Sequence, residues 1–422
     1  MNLSLKKILV CLLCAICILS NFSFINAYAQ DVHLLNVESL KATQTSNTKE
    51  ERYAKAISRI KKAIKEYKKE VSLSDLKLNN EEASILFHEV IFQKDYFYAV
   101  EATYLYYSPE TVDSLEIKYL CKKKDLDSYK KKLISAMNKY LKPVQESWTD
   151  IQKIIYIHDA IIRNTTYSTS NKKNHYAYSA LVDNVACCDG YTGAFSMLLN
   201  ELGIKSSFAF TSSHAWNMVK LNGKWYNVDC TFDDSCINGI QVTNTELCGH
   251  QYFLISTSKL KSIDKDHNNM FSIYKADSKL YDQFSWAVSN RPVVIYGGNI
   301  IYSDSNGNIK NFNIKTNKIT TLKTINDIWI DWTTATSNRY TYSMEKFVSL
   351  AIKDSILYYN TSSSVYEYDL KTGKSRSIAT IDHKKNKNRN ILGLRIEGNK
   401  LYGYFAVNPY SRDEKMLITT LS

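Results

Sequence analysis

Three residues whose types and spacing suit covalent acyl transfer stand within residues 186–234: Cys188, His214 and Asp229. In that chemistry a sulfur attacks a carbonyl carbon, an imidazole takes and returns the proton, and a carboxylate orients the imidazole. The surrounding residues predict the elements that must bring the three together. Phe195, Leu198, Leu199 and Leu202 recur at helical spacing behind Asp189, read as the N-cap, and Gly203 supplies the stop. Cys188 is therefore expected at the N-terminal end of a buried helix. The unpaired N–H groups and positive dipole end there should lower its pKa and could also hold an oxyanion.

The other two residues are expected on a hairpin. Strand-like runs at 214–221 and 224–230 flank Asn222-Gly223, the strongest short hairpin signal. With Asn222 and Gly223 as a two-residue turn, Leu221 pairs with Lys224 and His214 faces Thr231. Asp229 then lies diagonally from His214 on the same face, at roughly 7–8 Å.

These segments resemble the transglutaminase-like superfamily of papain-type cysteine enzymes. The resemblance is carried by Cys188-Asp189-Gly190-Tyr191, by His214-Ala215-Trp216-Asn217, and by Trp225-Tyr226-Asn227-Val228-Asp229-Cys230-Thr231. It implies Cys188 as nucleophile, His214 as its histidine and Asp229 as the acidic residue. It extends over roughly 148–270, through the 252–255 segment, expected to add a strand to the catalytic sheet, and through Asp266-His267. Ala186 stands where the family commonly has glycine, Cys187 where it has valine and Phe232 where it has tryptophan. The implied core is α+β, a helix packed on an antiparallel sheet. In secreted bacterial members a small α+β region commonly precedes that core.

The chain opens as an export signal. Lys6 and Lys7 precede an apolar run at 8–19, and Ala27-Tyr28-Ala29 offers small residues for cleavage. The run is too short for a comfortable membrane span, and no later stretch is long and apolar enough for one. A secreted or cell-surface location follows. The formal net charge is +12, and loss of Lys6 and Lys7 removes two of those charges. In an exported chain this balance favours anionic wall polymers, glycans or membrane surfaces over nucleic acid. Abundant Lys, Asn, Ile and Tyr with only 4 prolines fit a low-GC bacterial origin.

Beyond the signal lie Cys121, Cys187, Cys188, Cys230, Cys236 and Cys248. Cys236 and Cys248 bracket a polar loop and are the expected bridge, while Cys187 beside Cys188 raises a vicinal disulfide that would silence both. Beyond the signal neither a Cys-x-x-Cys pair nor His-Glu-x-x-His occurs, so no metal and no cofactor is expected.

The expected segments are a signal peptide at 1–29, a linker and basic helix at 30–70, and an N-terminal α+β region at 71–147. The catalytic domain follows at 148–275 and a C-terminal β-repeat domain at 290–422. Within the first parts, 73–76 reads as a short strand, Asn80 as a helix cap, 96–122 as an aromatic hairpin and 126–141 as a helix. Thr149 caps the next helix, on which His158-Asp159 is read as structural. The C-terminal part carries an internal repeat: residues 299–322 match 355–378, and a weaker copy starts at Asn399. Such units resemble β-propeller blades, too few to close a ring, so an open, partial stack is expected.

Two functions are compatible with this pattern. The first is an exported cysteine acyltransferase or hydrolase acting on carboxamide or peptide bonds of surface proteins or wall peptides, with transglutaminase, deamidase or protease chemistry. The alternative is a non-catalytic surface scaffold or adhesin that binds through the C-terminal β domain.

Overall fold

The structure, a computed structural model, describes residues 46–106, 110–234, 236–237, 240–241, 246–327, 329, 346–382, 389–407 and 414–421. The export segment expected at 1–29 lies outside the described residues. Among them, no helix is long and apolar enough to cross a membrane.

Helix α1 (Ser46–Lys65) buries one stripe, Ala56, Ile60, Ala63 and Ile64, and leaves most of its lysines outward. Strand β1 (Glu70–Ser72) follows. The strand expected at 73–76 is instead a 3₁₀ turn, Ser74–Leu76, closed by Lys77 at φ 48°. The tight turn points Leu73 and Leu76 inward together, and both are buried. Helix α2 (Asn80–Ile91) is capped by Asn79, not by Asn80, through a capping box with Glu82. The aromatic hairpin forms as β2 (Ala99–Leu105) and β3 (Ser114–Tyr119), antiparallel, with β1 on the far side of β3. Tyr67 packs against Tyr98 and Tyr119 of this region, with ring centroids 5.1 and 4.7 Å away, and those two rings are 6.2 Å apart.

Helix α3 (Leu126–Leu141) and helix α4 (Asp150–Asn164) follow, the latter opened by a Thr149–Gln152 capping box. Helix α5 (Cys188–Glu201) starts two residues earlier than an Asp189 cap would allow, because Cys187 holds the extended N-cap position. It stops at Gly203, φ 73°, a conformation that glycine adopts without steric cost. Strands β4 (Ser206–Phe210), β5 (Ala215–Leu221) and β6 (Lys224–Val228) come next, then the short helix α6 (Cys230–Asp233), strand β7 (Phe253–Ile255) and helix α7 (Thr257–Ile263). The hairpin turn is as expected, with Asn222 at φ 50° and Gly223 at φ 78°, both left-handed as a type I′ turn requires.

The described chain divides into two compact units. The first comprises residues up to Lys139, Ser168–Asn227 and Ser256–Asp277. Its centre is α5 laid on the antiparallel β4–β5 pair, in which Phe208 faces Asn217 and Ala209 faces Trp216. Tyr191, Phe195, Leu198 and Leu199 of α5 are buried, as are Met218 and Val219 of β5, and this burial supplies the hydrophobic driving force.

The second unit comprises Tyr140–Tyr167, Val228–Ile255 and Ser278–Ser422. Its C-terminal part is three antiparallel meanders. The first runs β8 (Val294–Tyr296), β9 (Asn299–Ser303), β10 (Asn308–Asn313) and β11 (Lys318–Thr324). The second runs β12 (Leu350–Lys353), β13 (Ile356–Asn360), β14 (Ser364–Asp369) and β15 (Ser375–Thr380). The third has β16 (Asn390–Glu397), β17 (Lys400–Ala406) and β18 (Glu414–Thr420). Each copy of the sequence repeat begins at the second strand of a sheet. The first two copies share details: Ile301 and Leu357 are buried at matching places, bulges fall at Ile309/Lys310 and Val365/Tyr366, and Asn317 and Gly373 hold the left-handed turn position. Helix α4 is held in this unit by Gln152, whose side-chain amide donates to the Gly297 and Asn299 carbonyls at 3.0 and 3.3 Å.

Candidate active site

Cys188 is the first residue of α5, buried, and its side chain is hydrogen-bonded both to Cys187 and to His214. The start of the helix is pinned from outside: Cys187 N–H donates to the Asn174 carbonyl at 2.8 Å, and Ser168 N–H to the Ala186 carbonyl at 2.8 Å. Gly190 is required here. A Cβ at that position would stand 2.5 Å from the Asn174 carbonyl oxygen and 2.7 Å from the Ala186 Cβ. The alanine at 186 thus fills the space against that glycine.

The pKa of Cys188 runs opposite to the sequence expectation. It is raised well above the ordinary thiol value, first by the hydrogen bond with Cys187, then by burial and by the Asp189 charge. The hydrogen bond with His214 works the other way. A helix N-terminus favours a thiolate, but here a neighbouring thiol and exclusion of water outweigh it. The resting group is a thiol. Both Cys187 and Cys188 are free, so no vicinal disulfide forms.

His214 sits immediately before β5 and is itself buried. Its ring lies over Trp216 (centroids 5.7 Å, 18° between planes) and meets His267 edge-on at 5.3 Å. His267 in turn meets Trp216 edge-on at 4.7 Å. The histidine noticed from its position after the 252–255 segment therefore belongs to the wall around the His214 imidazole. The Trp216 indole N–H donates to Asn227 Oδ1 at 3.0 Å, linking the two strands of the hairpin. Asn217, on the neighbouring position, donates to the Thr192 carbonyl at 3.0 Å and to Ser196 Oγ at 2.8 Å, fastening β5 to α5.

Asp229 follows the last residue of β6. The expected pairing of His214 with Thr231 does not form, because the strand ends at Val228 and Thr231 lies in α6. The physical reason is Asp229 itself, whose Oδ1 accepts from the Thr231 and Phe232 N–H groups at 2.9 and 3.1 Å and starts that helix. Its own N–H donates to the Tyr252 carbonyl at 3.1 Å, alongside the expected strand β7. The carboxylate is buried and fixed.

Asp189 pairs with His175, Nδ1 to Oδ2 at 2.6 Å; burial raises its carboxyl, but this contact together with the nearby His88 and His214 leaves it below its ordinary value. Spacing gave no sign of this pair, since the loop bearing His175 reaches the helix only in three dimensions. The expected bridge between Cys236 and Cys248 is not made: Cys248 is a free, buried thiol donating to Asp159 Oδ1 at 3.4 Å. It faces inward beside α4 instead of closing the loop.

Residues 138–230 match the family model described as the transglutaminase-like superfamily. Kyphoscoliosis peptidase of Homo sapiens is 27% identical over 132 residues, which is 26% of this chain and 20% of that protein. The Mus musculus protein is 26% identical over the same share. The chain thus spans about a fifth of the length of these relatives. Among solved structures, a crystal structure of a TGase aligns at 13% identity over 32% of this chain and 44% of that one, with a TM-score of 0.23. The chain has a mixed helix and sheet fold with many antiparallel strands, and its residues 138–230 belong to the transglutaminase-like superfamily.

Proposed function

We propose that the chain is an exported cysteine-dependent acyl-transfer enzyme acting on carboxamide or peptide bonds of surface proteins or wall peptides. The observation that carries this is the hydrogen bond between His214 and the thiol of Cys188 at the first turn of a buried helix. In the first step the Cys188 sulfur attacks the carbonyl carbon while His214 takes the thiol proton. The carbon–nitrogen bond breaks, His214 returns the proton to the leaving amine, and a thioester remains. The N–H groups at the start of α5 are available to donate to the oxygen that becomes negative. Asp229 is the residue that the family resemblance implies for orienting the imidazole. A lysine amine attacking the thioester gives an isopeptide crosslink; water gives deamidation or cleavage.

Burial and the Cys187 contact raise the Cys188 pKa, so the thiol proton passes to His214 as the sulfur attacks. The apolar segment with Lys6 and Lys7 supports export, and the positive balance supports a substrate on an anionic surface.

The test uses the full chain with a glutamine-bearing protein, a fluorescent primary amine and a peptide pool. Amine incorporation, ammonia release and new peptide termini separate the three outcomes. Each should vanish in Cys188→Ala and fall steeply in His214→Ala and Asp229→Asn. Absence of all three products from the wild-type chain, with surface binding unchanged in Cys188→Ala, overturns the enzyme and leaves a binding scaffold.

A further inference from the structure

A second buried cluster lies wholly within the second unit: His158 and Asp159 on α4, with Cys248 and His250 on the segment before β7. One ligating atom from each of the four lies within 4.8 Å of the others, and all four residues are at most 3% exposed. Asp159 Oδ1 is approached by His158 Nδ1 at 2.9 Å, by His250 Nε2 at 2.9 Å and by Cys248 Sγ at 3.4 Å.

The outer partners decide what these atoms are. His250 Nδ1 faces the Ser289 carbonyl at 3.1 Å, which only accepts, so Nδ1 carries hydrogen. In neutral imidazole that leaves a lone pair on Nε2, aimed into the cluster. His158 Nε2 faces Asp233 Oδ2 at 3.2 Å, and the Tyr252 N–H donates to both Asp233 oxygens, keeping that carboxyl an acceptor. With hydrogen kept on Nε2, loss of the Nδ1 proton would turn the Nδ1 lone pair inward. Asp159 Oδ2 accepts from the Val293 N–H at 2.8 Å, which turns Oδ1 to the same point. The positive charge that balances these carboxylates can be a proton on His158, between Asp159 and Asp233, or a bound metal ion in its place. Each inward atom has an outer partner of the kind that orients metal ligands.

We propose that this cluster is a structural zinc site, held by His158 Nδ1, His250 Nε2, Cys248 Sγ and one Asp159 oxygen. Two nitrogens, a thiolate and a carboxylate form a closed four-coordinate set suited to Zn²⁺ and unsuited to calcium or magnesium, which take oxygen ligands. The ion's two charges balance those of Asp159 and the Cys248 thiolate, and binding releases the thiol proton. With bonds of about 2.0–2.3 Å, tetrahedral ligands stand about 3.3–3.8 Å apart, so the 2.9 Å contacts need open only by a few tenths of an ångström. The ion would join α4 to the 248–250 segment and, through Asp233, to the end of α6.

The full chain, expressed with zinc in the medium, should carry about one zinc per molecule by elemental analysis. Cys248→Ala and His250→Ala should lose it, while Cys188→Ala and Cys187→Ser keep it. Chelation should lower the melting temperature, and Zn²⁺ alone should restore it. So that the test does not depend on the variants folding, the chelated wild-type chain is also titrated with Co²⁺. Tetrahedral d–d bands with a thiolate charge-transfer band are expected. A folded, cooperatively melting wild-type chain that takes up neither zinc nor cobalt overturns the proposal. So does zinc that persists in Cys248→Ala but leaves in Cys188→Ala.

Discussion

The thiol of Cys188 is hydrogen-bonded at once to its chain neighbour Cys187 and to His214, and the two contacts push its pKa in opposite directions. The first-named contact, joined by burial, prevails. The sulfur that opens the helix therefore waits as a thiol, and its reactivity depends on which group removes the proton.

Alkylation by iodoacetamide should accordingly show this balance. The thiolate fraction falls tenfold for each pH unit below the pKa, so labelling of Cys188 should be slow near neutrality and still rising above pH 9.0, the ordinary thiol value. His214→Ala removes the lowering contact and should slow labelling further across that range. Mass spectrometry of the Cys188 peptide against pH measures both.

Cys187→Ala should act in the other direction. It deletes the largest raising contact, so the Cys188 pKa should drop. Labelling at a fixed pH near neutrality should then rise, about tenfold if the pKa falls by one. The check is the same rate profile, with a melting curve to show that the N-cap survives. An unchanged profile would mean that burial alone holds the pKa up.

Gly190→Ala is expected to damage the site through packing alone. Its methyl would meet the Asn174 carbonyl at 2.5 Å, a backbone atom that cannot rotate away. A cost of about 1–3 kcal/mol is expected, with the tip of α5 displaced. Denaturant unfolding measures the loss, and turnover should fall more than the folded fraction does.

Asn217→Ala should loosen the strand that follows His214. The change leaves the Thr192 carbonyl and Ser196 Oγ short of a buried donor, at a cost of about 1–3 kcal/mol. Asn217→Asp should be worse, because a carboxylate cannot donate to the Thr192 carbonyl. Urea midpoints of the two variants test the order.

Local elements were the most legible part of the chain. Helical spacing from Phe195 to Leu202, Gly203 after it and Asn222-Gly223 each act through a few adjacent residues, and each forms as expected. The misplaced caps, Asp189 for Cys187 and Asn80 for Asn79, are shifts of two residues and of one. The strand expected at 73–76 fails because two leucines three apart share one side of a 3₁₀ turn, whereas in a strand they would face opposite sides.

By itself the sequence determined which residues are of the right type and order for acyl transfer, Cys188, His214 and Asp229, and the helix and hairpin beside them, since motif and periodicity are properties of short stretches. Tertiary structure alone decided the protonation of Cys188, the capping duty of Asp229 and the meeting of His158, Asp159, Cys248 and His250. The reason is that burial and hydrogen bonding depend on segments far apart in the chain. Sequence spacing carries no measure of how much water they exclude.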